Sequence, residues 1–146
     1  MYKYIGCGLS NIYLENGYNF RDTSYGKAVS IADAEGLHKA IGVHIIENRP
    51  KLSGAEFRFL RKEMDMSQSS FGNMFELQGQ TVAIWEKAGK IPRFADLIIR
   101  TVYLENIINE NPKISQFINR LNEMDKKAKR RVVFKETDRG WVPKVA

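Results

Sequence analysis

The sequence predicts an α+β protein in three parts. A small β-sheet with one helix occupies residues 1–50, a five-helix domain residues 51–111, and a helix with a short β-hairpin residues 112–146. Three observations carry this. Residues 12–31 are short runs of β-branched and aromatic side chains parted by Asn-Gly and Tyr-Gly pairs, the composition of strands and turns. From residue 33 to residue 108 the apolar positions recur at spacings of three and four, the helical period. Strand-like runs return at Val132-Val133-Phe134-Lys135 and Trp141-Val142.

At 146 residues the chain can bury a real core in one or two domains. Its 43% hydrophobic and 27% charged shares are ordinary for a soluble globular protein. No apolar run reaches the ~18 residues of a membrane span, and the opening MYKYIGCGLS lacks a charged start followed by an apolar block, so no secretory signal is expected. The lone Cys7 supports neither an internal disulfide nor a four-ligand zinc site. A cytoplasmic protein with no membrane contact is expected.

The first strands lie at residues 12–14, 18–23 and 27–31. Asn16-Gly17, between the first two, is a strong hairpin signal, and Tyr25-Gly26 parts the second from the third. Gly6-Cys7-Gly8 has no helix-opening glycine pattern behind it and reads as a turn rather than a phosphate loop. Residues 33–48 then form a helix, with Leu37, Ile41 and His44/Ile45 inward. His38 and His44 are six apart and point to different faces, so no metal and no cofactor is expected there. Pro50 pushes the preceding residue out of helical geometry and ends the unit.

Ser53-Gly54-Ala55-Glu56 is a capping box. The helix it opens buries Phe57, Leu60 and either Phe59 or Met64, with Arg58, Arg61 and Lys62 outward. Ser67 caps the next helix, whose core face is Phe71, Met74 and Phe75. After a break at Glu76-Leu77-Gln78-Gly79, a second short helix turns Val82 and Trp85 inward and Gln80, Thr81, Ala83, Ile84 and Lys87 outward. Ala88-Gly89-Lys90-Ile91-Pro92 is a loop, with glycine past the helix end and proline opening the next helix. The run to residue 108 is apolar over more than one stripe (Leu97, Ile98, Ile99, Val102, Tyr103, Leu104, Ile107, Ile108). It must be covered on two sides, so it fills the core, forms a dimer seam, or both. Asn111-Pro112 ends it, and a helix at 113–129 follows with Ile114, Phe117, Ile118, Leu121 and Met124 on one face. The closing strands flank an Asp138-Arg139-Gly140 turn; unstable as an isolated pair, they are expected to pack back on the N-terminal sheet.

The net charge of +6 is unevenly placed. Residues 1–50 carry five basic and five acidic side chains, residues 51–112 eight of each, and residues 113–146 ten against four. The excess centres on the basic run 126–131, either a phosphate contact or a solvated helix end.

Two short helices at a steep angle, the second presenting small and amide side chains, have the layout of a DNA-reading helix-turn-helix. Residues 52–105, roughly a third of the chain, resemble the lambda-repressor/Cro class, the XRE-type helix-turn-helix. The resemblance rests on Met66-Ser67-Gln68, Phe71, Phe75, Leu77, Thr81-Val82, Trp85-Glu86-Lys87 and Pro92-Arg93-Phe94. The earlier segments Gly8-Leu9-Ser10-Asn11, Leu14-Glu15-Asn16-Gly17-Tyr18, Thr23-Ser24-Tyr25-Gly26 and Leu37-His38-Lys39-Ala40-Ile41 are similar to a bacterial group placed with MqsA-type antitoxins, here without their paired zinc-binding cysteines. These resemblances imply a lambda-repressor-like fold and a homodimeric transcriptional repressor of double-stranded DNA. An autoregulating antitoxin with a cognate toxin is also implied.

In that class the glutamine opening the first helix of the pair contacts phosphate, and Gln68 holds the place; it is otherwise a solvated cap. Gln80 suits a bidentate pair with adenine, and Thr81 a phosphate or a thymine methyl. Ala83 and Ile84 offer apolar surface to thymine methyls, unless Ile84 tucks against the following helix. Lys87, Lys90 and Arg93 fall where backbone contacts occur, or are ordinary surface charges. Gln78-Gly79 is a weaker helix start than Ser or Thr, and Gly79 stands where relatives place a base-reading side chain. Glu76 replaces the usual turn glycine, which implies a shifted turn or modest strain. The DNA-facing set is Gln68, Gln78, Gly79, Gln80, Thr81, Ala83, Ile84, Lys87, Lys90 and Arg93. Two isolated histidines, one cysteine and no paired carboxylates argue against an enzyme. The competing class is a protein-interaction module, or an antitoxin neutralising a toxin, with weak or no DNA binding.

Overall fold

In the computed structural model, residues 1–108 and 131–144 are described. The expected helix at 113–129 and all of the basic run but Arg131 lie outside them. Among these residues the architecture is α+β, with N-terminal strands, five α-helices and a C-terminal β-hairpin. The chain divides into two compact units, and the division falls inside one helix, between Ile41 and Gly42.

The first unit joins the two ends of the chain. Strands β1 (Tyr2–Lys3), β2 (Ile12–Leu14), β5 (Val132–Thr137) and β6 (Gly140–Pro143) make one sheet in the order β1-β2-β5-β6. β2 runs parallel to β5, with Leu14 opposite Phe134, and both outer pairs are antiparallel. Leu14 and Phe134 are fully buried with Leu37 and Ile41 of α1 (Ala34–Asn48). Asp33 starts α1 by accepting the Gly36 N–H on its carboxylate. Arg131, the described end of the basic run, stacks on the Tyr13 ring at 5.1 Å.

A separate two-stranded sheet pairs β3 (Tyr18–Thr23) with β4 (Gly26–Ile31). The strands lie close to where the composition puts them, but the Asn16-Gly17 signal is corrected. β2 and β3 do not pair, and the hairpin turn is the one at Tyr25-Gly26. The reason is local. The Asn16 side chain accepts the Glu136 N–H at 2.8 Å and donates to the Glu136 carbonyl, acting as one more rung of the β2–β5 ladder. Gly17 has φ +79°, and a Cβ there would lie 2.3 Å from the Trp141 ring. Trp141 in turn donates its indole N–H to the Ala32 carbonyl, pinning the base of the hairpin.

The second unit is helical: the end of α1, then α2 (Gly54–Glu63), α3 (Gln68–Asn73), α4 (Gly79–Ala88) and α5 (Arg93–Tyr103), so residues 51–108 hold four α-helices where five are expected for 51–111. A π-helical turn, Leu104–Ile108, extends α5. Its core is aromatic. Phe57 meets Phe71 edge-on at 5.0 Å and Trp85 at 6.4 Å, while Phe94 reaches Phe75 at 5.1 Å and Trp85 at 5.9 Å. One chain of rings thus links α2, α3, α4 and α5, and such edge-to-face pairs each add ~0.5–1.5 kcal/mol beyond area burial. The capping box forms as expected, with Ser53 and Glu56 satisfying each other's N–H groups. Arg100 has a place that the sequence does not announce. It is 0% exposed, bonds Asp96 at 2.6 Å and donates to the carbonyls of Ile46 and Arg49. It therefore caps the C-terminus of α1, which has no basic residue of its own in its last turn.

Candidate nucleic-acid interface

α3 and α4 are held close by glycines. A Cβ on Gly72 would stand 2.7 Å from the Leu77 carbonyl oxygen, and one on Gly79 2.5 Å from the Ser69 hydroxyl. A Cβ on Gly54 would collide with the Glu86 carbonyl at 1.8 Å, so α2 also abuts α4 backbone to backbone. The Gly72 carbonyl accepts the N–H groups of both Phe75 and Leu77, which folds the chain back between the two helices. Glu76 sits inside that turn with φ +57°, the left-handed conformation that the missing glycine implies.

Ser67 caps α3 by accepting the Ser70 N–H, as expected. α4 begins at Gln78 with no side-chain cap bond, the weak start that its sequence implies. It ends at Gly89 with φ +71°, the left-handed terminus that glycine permits. Val82 is fully buried and Trp85 partly so. Gln80, Ile84 and Lys87 are exposed, at i, i+4 and i+7, and so form a single stripe along the outer face of α4. Thr81 and Ala83 are half-buried beside it. Gln78, Lys90 and Arg93 are exposed at the two ends of the helix and the following loop.

Ile84 is 64% exposed, which removes the alternative that it tucks against α5. Gly79 is different from the rest. The direction a side chain would take there points at Ser69 of α3, so this position packs helices. Met74 is corrected as well: it caps the end of α3 and is 47% exposed, because α3 stops one residue before it.

The residue that joins these elements is Glu86. Its carboxylate accepts Arg61 Nε at 2.8 Å, Arg61 Nη2 at 3.0 Å, Gln68 Nε2 at 3.1 Å and Arg58 Nε at 3.2 Å. Burial pushes the Glu86 carboxyl up, but the Arg61, Gln68 and Arg58 donors outweigh it and hold it below the ordinary carboxylate value. Arg61, expected to face outward, is 6% exposed, whereas Arg58 and Lys62 are on the surface. Its spacing of four from Phe57 was the available signal, since it puts Arg61 on the buried face of α2. Val82 and Glu86 stand in the same relation on α4. Gln68 therefore has its amide anchored at the start of α3, next to the half-exposed Arg58.

No family model, curated protein or solved structure matches this chain. The site is defined by its own chemistry: a surface of amide, aliphatic and cationic groups on α4, and Gln68 at the start of α3 anchored beside Arg58 of α2 on one Glu86 oxygen. Among the described residues no group of three or more His, Cys, Asp or Glu could hold a metal ion, and no helix is long and apolar enough to cross a membrane.

Proposed function

We propose that this chain is a cytoplasmic, sequence-specific DNA-binding regulator of the lambda-repressor-like helix-turn-helix class, acting as a homodimeric repressor. α3 and α4 are the helix-turn-helix pair, and α4 enters the major groove. The observation that supports this best is the outer stripe of α4. Gln80 supplies an amide for an adenine edge, Ile84 an aliphatic surface for a thymine methyl, and Lys87 a cation for phosphate. Gln68 and Arg58, anchored on Glu86, lie at the N-terminal end of α3 and address the phosphate backbone. Lys90 and Arg93 do so at the other end of α4.

The helical segment is electrically balanced, with eight basic and eight acidic residues over 51–112. Attraction to DNA must then come from local placement of cations, from the basic run 126–131 and from pairing of two copies. Specificity and affinity are separable in this scheme. Gln80→Ala should relax discrimination at one base pair, costing about 1–3 kcal/mol on the correct site. Arg93→Ala should weaken all sequences alike and reduce the salt slope by about one phosphate. Titration of both variants against a panel of single-base site variants checks the assignment, and unchanged binding by both would place the groove-facing surface elsewhere.

A second reading draws on the same surface. Ile84 and Met74 are exposed apolar residues at 64% and 47%, and a protein partner such as a toxin would cover them. An autoregulating antitoxin would use both modes.

A further inference from the structure

We propose that the apolar face of the β3–β4 hairpin is the surface through which two copies of this chain associate about a two-fold axis. The register sorts the hairpin's side chains. Tyr18 opposes Ile31, Phe20 opposes Val29, and Asp22 opposes Lys27. Alternation along a strand puts these three rungs on one face. The other face carries Asn19, Arg21 and Thr23 opposite Ser30, Ala28 and Gly26, all small or polar. The hairpin is therefore amphipathic, with an apolar side that calls for a cover.

Within the first unit that cover is partial. Tyr2 packs on the Tyr18 ring at 5.2 Å and reaches the edge of Phe20 at 5.8 Å. Beyond it Phe20 remains 58% exposed, Val29 36% and Tyr25, at the turn, 100%. Among the described residues the hairpin makes a sheet of its own, its strands pairing with each other and with no other strand. Two strands alone are marginal in water and gain stability when the apolar face is packed.

The charges select the occupant. Asp22 and Lys27 lie side by side on the outermost of the three rungs, and no ion pair within 4 Å joins them among the described residues. A two-fold axis running between the strands, parallel to them, lays β3 of one copy over β4 of the other. Phe20 then meets Val29, and Asp22 meets Lys27, twice over. An isologous contact requires this self-complementarity, residue i to j and j to i. A foreign partner would need its own matching pattern; a second copy already has it. This proposal does not rest on the DNA-binding reading, because association is measured without DNA.

The test is sedimentation equilibrium of the full chain over a wide concentration range, with far-UV circular dichroism confirming each variant's fold. The wild type should approach twice the monomer mass in a concentration-dependent way. Asp22→Lys alone sets a cation of one copy against Lys27 of the other, and Lys27→Asp alone sets an anion against Asp22. Each should weaken association by at least roughly tenfold. An equimolar mixture of the two variants should restore it, because the hetero-pair has both cations on one copy and both anions on the other. Each substitution also sets like charges opposite one another within its own hairpin, a modest cost at exposed positions, so circular dichroism must show the fold intact before association is compared. A wild type that stays monomeric would overturn the proposal and leave this face to a different partner. Single variants that associate as the wild type does would overturn it and move the contact elsewhere, the α5 region included. A mixture that fails to restore association would overturn it too.

Discussion

Among the described residues of the helical unit two arginines are buried, and their surroundings differ. Arg100 is closed on every side. Asp96 takes Nε, and the carbonyls of Ile46 and Arg49 take the two remaining nitrogens. Asp96 also accepts the Leu52 N–H, so the pair ties the end of α1, the start of α2 and the middle of α5. Arg61 is also paired with a carboxylate, but its partner Glu86 is shared. The same Oε1 that receives Arg61 receives Arg58 and Gln68, whose side chains reach the surface. The first cluster ends inside the protein; the second continues to the candidate interface. A buried charge can thus serve architecture alone, or hold surface groups in position through architecture, and the two should separate by experiment.

The largest expected effect is at the closed cluster. Arg100→Ala leaves Asp96 unpaired and two helix-terminal carbonyls without a donor, a loss of about 3–5 kcal/mol in denaturant unfolding. Glu86→Gln should cost less, about 1–3 kcal/mol, because Arg61 keeps the Met66 carbonyl and the glutamine oxygen can still accept from it. In the folded variant, however, DNA affinity should fall more than it does for a surface variant of equal stability, since Gln68 and Arg58 lose their anchor. If Arg100→Ala proves no more costly than Glu86→Gln, the contrast between the clusters fails.

Acid should reach the shared cluster through Glu86, and α1 separately through His44. Burial holds His44 below its ordinary value, with Glu56 pulling the other way. Its folded form resists protonation, so the stability it contributes is complete above 6.5 and declines as pH falls below that value. Glu86 is also depressed when folded, so its share is complete above 4.5 and lost as pH falls below it. Stability against pH should therefore decline in two stages, and Glu86→Gln should shrink only the lower one, which Glu15, held down by its bond to Lys144, shares. The smallest effect is in the turn. Glu76→Gly relieves a φ of +57° and should raise stability by about 1 kcal/mol, less what the added chain entropy takes back.

Local chemistry was readable from the sequence wherever the partner was near in the chain. The Ser53–Glu56 box, the Ser67 cap, the Gly89 terminus and the strained turn at Glu76 each involve residues within a few positions. The sorting of Val82 and Trp85 from Gln80, Ile84 and Lys87 followed from helical period alone. What escaped was long-range. Arg61 meets Glu86 across 25 residues and Arg100 meets Ile46 across 54; a cation is read as outward until its partner is known, even at Arg61, whose spacing from Phe57 puts it on the buried face. Asn16 failed for the same reason, since the backbone it bonds lies 120 residues away. Met74 failed by one residue of helix length.

The most direct test of the central claim is binding of the purified chain to the duplex upstream of its own gene, at low and at moderate salt. The account predicts a specific complex that weakens steeply as salt rises, in step with the phosphates engaged by Lys87, Lys90 and Arg93. A folded sample that gives no shift at low salt would contradict it, and would leave the exposed face of α4 to a protein partner.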